Sequence, residues 1–566
     1  MTLLDWIVLG STLALIVGYG TWKTRVNRNL NDYLKGGSSA NWATIGLSVM
    51  ATQASAITFL STPGQAFESG MGFVQFYFGL PVAMVILCVW VIPRYYKLNV
   101  YTAYEFLENR FNLNTRLLAA FLFLVQRGLA AGITIYAPAI ILSTLLGWNL
   151  NLTNLSVGIL VIIYTVTGGT RAVSVTQKWQ MAVIMSGMFI AFGIILNEIA
   201  PFASFTESLA LAGAQGRMEI VNFDLDFENR YTIWSGLTGG LFLALSYFGT
   251  DQSQVQRYLS GKSIRESRLG LIFNGILKVP MQFFILLCGV MVFVFYQFHA
   301  QPIHFNENQI QMVENSELSE KGKEVVAGFN QVQADKLEVS KQFLEAERAG
   351  LPADAYKEEL KQLSEQEKVY KAEYQKLIVQ SNPEVSEKDA EDSDYVFLTF
   401  LLDFMPKGLV GLLLAVILSA AMSSTASELN ALGSTTTIDF YKRLRGGKEQ
   451  SDETQVRMGR FFTIFWGFLA IAFAVFASKL DNLIEAVNIL GSLFYGTILG
   501  IFVVGFFIKF IRARAIFIGA IISESLVLLI YFLEWKDLGF LWYNVIGCLL
   551  TLVIAMLLQV LIGKGK

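Results

Sequence analysis

The feature that most constrains this chain is a succession of apolar runs. Each is close to the ~20 residues that a helix needs to cross a ~30 Å hydrocarbon layer. Thirteen such runs fall at about 3–22, 41–69, 71–98, 115–146, 152–167, 178–199, 230–258, 266–298, 406–438, 455–478, 483–510, 513–533 and 541–563. A lipid-spanning segment must satisfy its own backbone hydrogen bonds, and helices do so. Segments of about ten residues with alternating polarity, the mark of a membrane barrel, do not occur. The expectation is an all-α polytopic membrane protein with about 13 transmembrane helices. Composition agrees, with 54% hydrophobic and 16% charged residues, against ~25% charged in soluble domains.

The first run starts beside Asp5, and its basic residues follow it, so it is not read as a cleavable signal. Those residues are Lys23, Arg25, Arg28 and Lys35. Cytoplasmic loops are enriched in Lys and Arg, which places the N-terminus outside. Alternate loops then agree: Arg94, Lys97 and Arg110; Arg171 and Lys178; Arg257, Lys262, Arg265 and Arg268; Lys442, Arg443, Arg445, Lys448, Arg457 and Arg460; Lys509, Arg512 and Arg514; Lys564 and Lys566. The expected location is the cytoplasmic (inner) membrane, multi-pass, with the C-terminus in the cytoplasm. These cations are scattered among apolar runs rather than clustered with aromatics, which argues against nucleic acid as a partner.

Residues 301–394 differ, with 21 Asp+Glu against 11 Lys+Arg. Tyr356, Leu360, Leu363, Tyr370, Tyr374 and Leu377 recur at helical spacing, and Phe329, Val332, Leu337, Phe343 and Leu344 do so more loosely. Ala349 to Pro352 separates the two stretches. The pattern predicts an antiparallel helical hairpin projecting outside the membrane between the eighth and ninth runs. Charge-laced faces are usually solvated, which favours a spacer over a docking arm for a protein partner.

Polar residues inside a bilayer are costly and mark function. Ala51 to Ala56 with Pro63 and Gly64 predicts an interrupted helix whose freed carbonyls suit a hard cation. The bland alternative is a packed proline kink. Ala420, Ser423, Ser424, Ser427, Asn430 and Ser434 share one helix face. Such a stripe is either a cation site or a small-residue packing seam. Depth favours a site: at 1.5 Å per residue, Ser423 lies ~22 Å and Ala51 ~15 Å from the inner ends of their helices. Tyr247 to Tyr258 places Asp251 deep in the seventh run, where it needs a cavity or a cation such as Lys278. Arg257 in the same stretch is expected to snorkel to the interface.

The chain resembles the sodium:solute symporter family, which includes sodium/sugar, sodium/monocarboxylate and sodium/iodide carriers. The likeness rests on Ser423-Ser424-Thr425-Ala426-Ser427 through Asn430 to Asp439-Phe440-Tyr441-Lys442, and on Gly249-Thr250-Asp251-Gln252-Ser253-Gln254-Val255-Gln256-Arg257-Tyr258-Leu259. Gly168-Gly169 with Ala172, Val173 and Gln180 adds to it. Tyr101 to Phe111 and Tyr136-Ala137-Pro138-Ala139 look closest to the monocarboxylate/iodide branch. The resemblance covers nearly all of the membrane part and leaves out the acidic insertion.

This resemblance implies a LeuT-like core of two inverted five-helix repeats. Residues 1–40 would form a first helix and loop, 41–199 the first repeat, 200–299 and 395–511 the second, 300–394 the external insertion and 512–566 two peripheral helices. It also implies a Na+ site on the carbonyls of Ala51, Ala54 and Ala420 and the hydroxyls of Ser423 and Ser424. Substrate positions fall on Thr58, Asp251, Gln252 and Lys278, with Asn488 on the eleventh helix. Family members with a second Na+ carry an Asp where this chain has Gln177, and adjacent hydroxyls where it has Ala426 and Ser427. That implies one Na+ per substrate. Many relatives have Asn where Asp251 stands, and a carboxylate there disfavours an unaccompanied anion and favours hydroxyl- or amine-bearing solutes.

The resulting expectation is a sodium-coupled symporter for a small polar organic solute or anion, sugar- or monocarboxylate-like. Its partners would be that solute, Na+ and the bilayer. The alternatives are a proton-coupled carrier relaying through Asp251 and a transporter-derived sensor using the insertion. No ring of selectivity carbonyls or charges suggests a channel. No HExxH, Walker-A or dinucleotide-glycine motif suggests an enzyme.

Overall fold

The computed structural model describes residues 2–562 apart from 24–29, 383–384, 386, 388–389, 446–450, 478–482 and 534–537. Arg25, Arg28, Lys448, Lys564 and Lys566 of the charge pattern therefore lie outside the described residues. Among the described residues there are helices and no strands.

In chain order, α1 is Leu3–Lys23, α2 Trp42–Gln53 and α3 Ala56–Ser69. α4 runs as one helix through Leu80–Ile86, Leu87–Val91 and Ile92–Leu98. α5 is Leu113–Leu146, α6 Leu150–Ile199 and α7 Phe205–Ala214. α8 is Gly240–Gly249, α9 Gln252–Leu259 and α10 Ile264–Phe298. The insertion carries α11, Ser319–Ala349, and α12, Asp354–Ser381. α13 is Ser393–Phe404, α14 Leu409–Thr435, α15 Asp452–Phe476, α16 Leu483–Phe507, α17 Ala513–Phe532 and α18 Leu541–Ile562. Nine helical stretches among the described residues are long and apolar enough to cross a membrane. The other expected runs fall on shorter or interrupted helices such as Leu3–Ile16 and Leu150–Val166.

Two interruptions position the site. Between α2 and α3, Ala54 leaves helical geometry (φ −87°, ψ 80°) and Ser55 is extended. Between α8 and α9, Asp251 is extended (φ −77°, ψ 120°) and its side chain caps α9 by accepting from the Ser253 N–H. The first falls where the sequence predicted a break, and the second falls inside the polar stretch around Asp251, for which the residues alone predicted no break. An Asp at an N-cap replaces helix hydrogen bonds lost at the break. Gly169 kinks α6 with φ 57° and ψ −170°, a conformation that glycine reaches without steric cost.

α3 is held tightly on two sides. A Cβ on Gly64 would meet the Ser393 carbonyl oxygen of α13 at 1.8 Å. A Cβ on Gly289 of α10 would meet the Pro63 oxygen of α3 at 2.1 Å. Only glycine lets these backbones approach so closely. α14, the helix of the hydroxyl stripe, packs on α5, α6 and α15 and touches α2 and α3. Asp5 of α1 accepts from the backbone N–H of Gly408 (2.6 Å) and Gly411 (3.2 Å), capping the start of α14.

The insertion is the predicted antiparallel hairpin, closing at Gly350 in the left-handed region. It does not project freely, which corrects the expectation of a solvated arm. Arg348 at its tip bonds Glu207 of α7 at 2.7 Å and the Phe202 carbonyl at 2.9 Å. Ser364 donates to Gln215 at 3.0 Å. Phe343, Leu344 and Leu360 are buried in the same core cluster as the membrane helices. Lys371 lies 5.3 Å over the Phe67 ring near the end of α3. The charge pattern was read correctly as a solvated face, but the apolar stripe beneath it needed a surface to cover, and α7 and the ends of α3 and α10 supply one.

Candidate functional site

The break at Ala54 frees carbonyl oxygens at the end of α2, and α14 brings hydroxyls to them. Ser423 Oγ donates to the Ala51 carbonyl oxygen at 3.0 Å. Ser424 Oγ donates to the carbonyl oxygens of Ala420 (3.1 Å) and Ala421 (3.3 Å). Ala51, Ala54, Ala420 and Ser423 are fully buried, and Ser424 nearly so. Of the five residues predicted for Na+, Ser423 and Ala51 meet across the two helices, Ser424 bonds Ala420 within α14, and Ala54 sits at the break itself. The oxygens are neutral, a donor set that suits a weakly hydrated monovalent cation better than Mg²⁺ or Ca²⁺.

Gln177 of α6 sits one step along the stripe. Its amide nitrogen lies 3.1 Å from Thr52 Oγ1, 2.9 Å from Ser427 Oγ and 3.2 Å from the Ser423 carbonyl oxygen. Its amide oxygen accepts from Ser48 Oγ. An NH₂ group is thus aimed at three oxygens.

A cavity opens on the other side of the stripe, lined by Gln53, Thr58, Phe76, Tyr77, Arg127, Thr134, Tyr247, Ser424, Glu428, Asn488 and Tyr495 among others. Arg127 from α5 is its centre of charge. The guanidinium bonds Asp251 (Nε to Oδ2, 3.0 Å) and Glu428 of α14 (Nη1 to Oε1, 3.0 Å). It also bonds the Tyr495 hydroxyl of α16 and lies 5.3 Å over the Tyr247 ring. Tyr495 Oη donates to Asp251 Oδ2 at 2.9 Å. Asp251 Oδ1 accepts from Ser253 N and Oγ at 2.8 and 2.6 Å. Glu428 Oε2 lies 2.8 Å from Thr134 Oγ1.

The predicted substrate positions divide. Thr58 and Asn488 line the cavity. Asp251 stands directly behind its wall, holding Arg127. Gln252 instead braces the 101–103 backbone, accepting from Ala103 N at 3.0 Å and donating to the Tyr101 oxygen at 2.9 Å. Lys278 is fully buried beneath Tyr77, 5.4 Å from the ring centroid, and does not line the cavity. Its ammonium has no hydrogen-bond partner among the described residues. The expected Asp251–Lys278 pair is therefore corrected to Asp251–Arg127. Arg257 does not snorkel: it is buried, bonding Ser253 O and Ser174 Oγ at 3.3 Å. α9 is a short segment tucked inside the bundle, so its end does not reach the interface.

Sequence reasoning passed over Arg127 and Glu428. Both carried a signal. Arg127 is a charge inside a long apolar run, and Glu428 lies four residues after Ser424 on the stripe face.

The family model described as Sodium:solute symporter family matches residues 33–317 and 369–523. The human sodium/iodide cotransporter is 31% identical over 295 residues, 52% of this chain and 45% of that protein. Sodium-coupled monocarboxylate transporter 2 of Mus musculus is 30% identical over 273 residues, 48% of this chain and 44% of that protein. These two matches thus span under half of the relatives' length. The sodium/sialic acid symporter NanT of Aliivibrio fischeri is 25% identical over 563 residues, 98% of this chain and 92% of that protein. A solved structure, the substrate-bound outward-open state of a Na+-coupled sialic acid symporter, superposes with a TM-score of 0.75 at 23% identity. It covers 100% of this chain and 99% of that one. The fold that the resemblance implied is the fold of that symporter.

Proposed function

The chain belongs to the sodium:solute symporter family, and from that premise we propose that it couples inward Na+ flow to uptake of a small polar organic solute across the membrane. The observation that carries the proposal is the meeting of Ser423 Oγ with the Ala51 oxygen, 3.0 Å apart, at the interruption between α2 and α3. Na+ held there by the carbonyls of Ala51, Ala54 and Ala420 and the hydroxyls of Ser423 and Ser424 would tie α2 to α14. Ser424 also lines the Arg127 cavity, so ion and solute would share a wall. A Na+ bound on that wall organises the cavity before the solute arrives, and alternating access releases both inside.

The proposed repeats are residues 41–199, and 200–299 with 395–511, each beginning at one of the two broken helices. We place the N-terminus outside and the C-terminus in the cytoplasm on the Lys and Arg distribution. The Gln177 amide supports a ratio of one Na+ per solute. Saturable uptake into proteoliposomes that needs an inward Na+ gradient tests the reading. Uptake unchanged when K+ replaces Na+ would refute it. One observation favours a second reading, proton coupling: Glu428 adds a second buried carboxylate beside Asp251 on the same guanidinium. Uptake driven by a pH gradient in Na+-free buffer would select it.

A further inference from the structure

Resting on the symporter reading, we infer that the solute carried in the Arg127 cavity has no net negative charge and brings a hydrogen-bond donor, a hydroxyl or an ammonium group, to Glu428. A lone arginine in a cavity invites a carboxylate, because its planar fork matches two oxygens. Here four of its five N–H groups are already used, which leaves no parallel pair for two oxygens of one carboxylate. Asp251 takes Nε and Nη2, Tyr495 also meets Nη2, and Glu428 takes Nη1. Arg127, Asp251 and Glu428 are 3%, 1% and 4% exposed. Charges in such surroundings are weakly screened, so their sum governs what can enter.

Within the bonded cluster, one guanidinium against two carboxylates leaves one negative charge, and Lys278 stands outside it, behind the Tyr77 ring. A Na+ at the Ser423–Ser424 site would cancel it, since Ser424 is part of the same lining. A neutral or zwitterionic solute keeps that balance. An anion would have to strip a carboxylate from Arg127 and leave it buried without its partner, which is strongly unfavourable. Glu428 Oε2 is the carboxylate oxygen with acceptor capacity to spare. Its neighbour Thr134 has one hydroxyl proton, and that proton has a competing acceptor in the Ala131 carbonyl oxygen at 2.9 Å. The cavity also presents the rings of Phe76, Tyr77 and Tyr247, surfaces suited to the C–H faces of a polyol or to an ammonium ion.

The test is thermal-shift titration of the purified full chain in NaCl and in KCl. The panel contains neutral hexoses and polyols, zwitterionic amino acids, and simple monocarboxylates from acetate to butyrate. Stabilisation that requires Na+ is expected from the hexose–polyol arm or the amino-acid arm, and the two arms distinguish a hydroxyl from an ammonium donor. Monocarboxylates are expected to do nothing. Glu428→Gln removes one negative charge, so its affinity for the stabilising donor should fall roughly tenfold and monocarboxylates should gain a Na+-dependent shift. Glu428→Asp keeps the charge and should still exclude monocarboxylates while binding the donor more weakly, which covers the case of a Glu428→Gln protein that does not fold. In proteoliposomes, the current-to-flux ratio for the stabilising solute should be one charge per solute. Na+-dependent stabilisation of the original protein by monocarboxylates, or an electroneutral flux, would overturn the inference. Donor preference that persists without any Na+ dependence would instead remove the symporter reading and leave the charge rule in place.

Discussion

Ser423 and Ala51 are 372 residues apart in the chain, and the serine hydroxyl lies 3.0 Å from the alanine carbonyl oxygen. That contact ties the stripe helix α14 to the broken end of α2. Na+ at this junction would be held by both oxygens, with the hydroxyl keeping its proton and turning it away from the ion.

Removing the two hydroxyls with Ser423→Ala and Ser424→Ala should leave the fold intact, because small residues pack well on membrane helices. The Na+ concentration for half-maximal uptake should rise roughly tenfold or more, corresponding to about 1.4 kcal/mol. Uptake measured against external Na+ checks this. An unchanged Na+ dependence in the double variant would move the ion elsewhere.

Gln177→Asp replaces the amide aimed at Thr52, Ser427 and the Ser423 oxygen with a carboxylate. A charge in a low-dielectric site is a strong electrostatic contribution. The variant should therefore recruit a second Na+, visible as a reversal potential that fits two Na+ per solute. The original protein should fit one. Two Na+ in the original protein would mean that Ser427 and Gln177 together hold an ion as they stand.

Asp251→Asn keeps the size of the side chain and its ability to cap α9, but removes one of the two charges on Arg127. Solute preference should change more than Na+ affinity, with a loss of about 1–3 kcal/mol in stability from the weakened pair. Lys278→Met, at a residue that neither bonds Asp251 nor itself lines the cavity, should leave solute preference unchanged. A shift in preference in the lysine variant, read from competition uptake, would restore Lys278 to the site.

The docked insertion should loosen in acid. Hydrogen bonds from Arg348 and from the Ser204 backbone hold the Glu207 carboxyl down to about 2, against an ordinary 4.5. Burial pushes Glu367 up, but Lys336 and Lys371 outweigh it and hold that carboxyl down to about 2 as well. A depressed carboxyl stabilises fully above its ordinary value, and the contribution is lost as pH falls toward the depressed one. Hydrogen exchange in α11 and α12 should therefore rise between about pH 4.5 and 2, and Arg348→Gln should raise exchange at the hairpin tip already at neutral pH. Equal protection at pH 7 and pH 3 would count against this docking.

Much of the site was legible because its signals are local. The polar step at Ala51 to Ser55 and the hydroxyl stripe of α14 announce themselves within a few residues, and the structure places the stripe against that step; the polar stretch around Asp251 was visible, but not that the helix breaks there. Pairing was not legible. Arg127 and Glu428 are 301 residues apart, and nothing in a single sequence says which cation meets which acid across a bundle. Lys278 was assigned to Asp251 because both are buried charges on consecutive helices, while the actual partner arrives from α5. The insertion shows the same limit: its hairpin follows from periodicity, but the surface it rests on belongs to distant residues.

On the proposed ratio of one Na+ per solute, the Gln177 amide would also set how far uphill the carrier can work. One Na+ entering through about 100 mV and a tenfold gradient releases about 3.7 kcal/mol. For an uncharged solute that corresponds to roughly 500-fold accumulation, whereas a second ion would square the figure. A cell relying on this carrier would reach a lower ceiling but would let in half as much sodium for each molecule gained. Such a carrier would fit a solute met at moderate abundance better than one scavenged from traces, and in this chain a single neutral side chain would hold that balance.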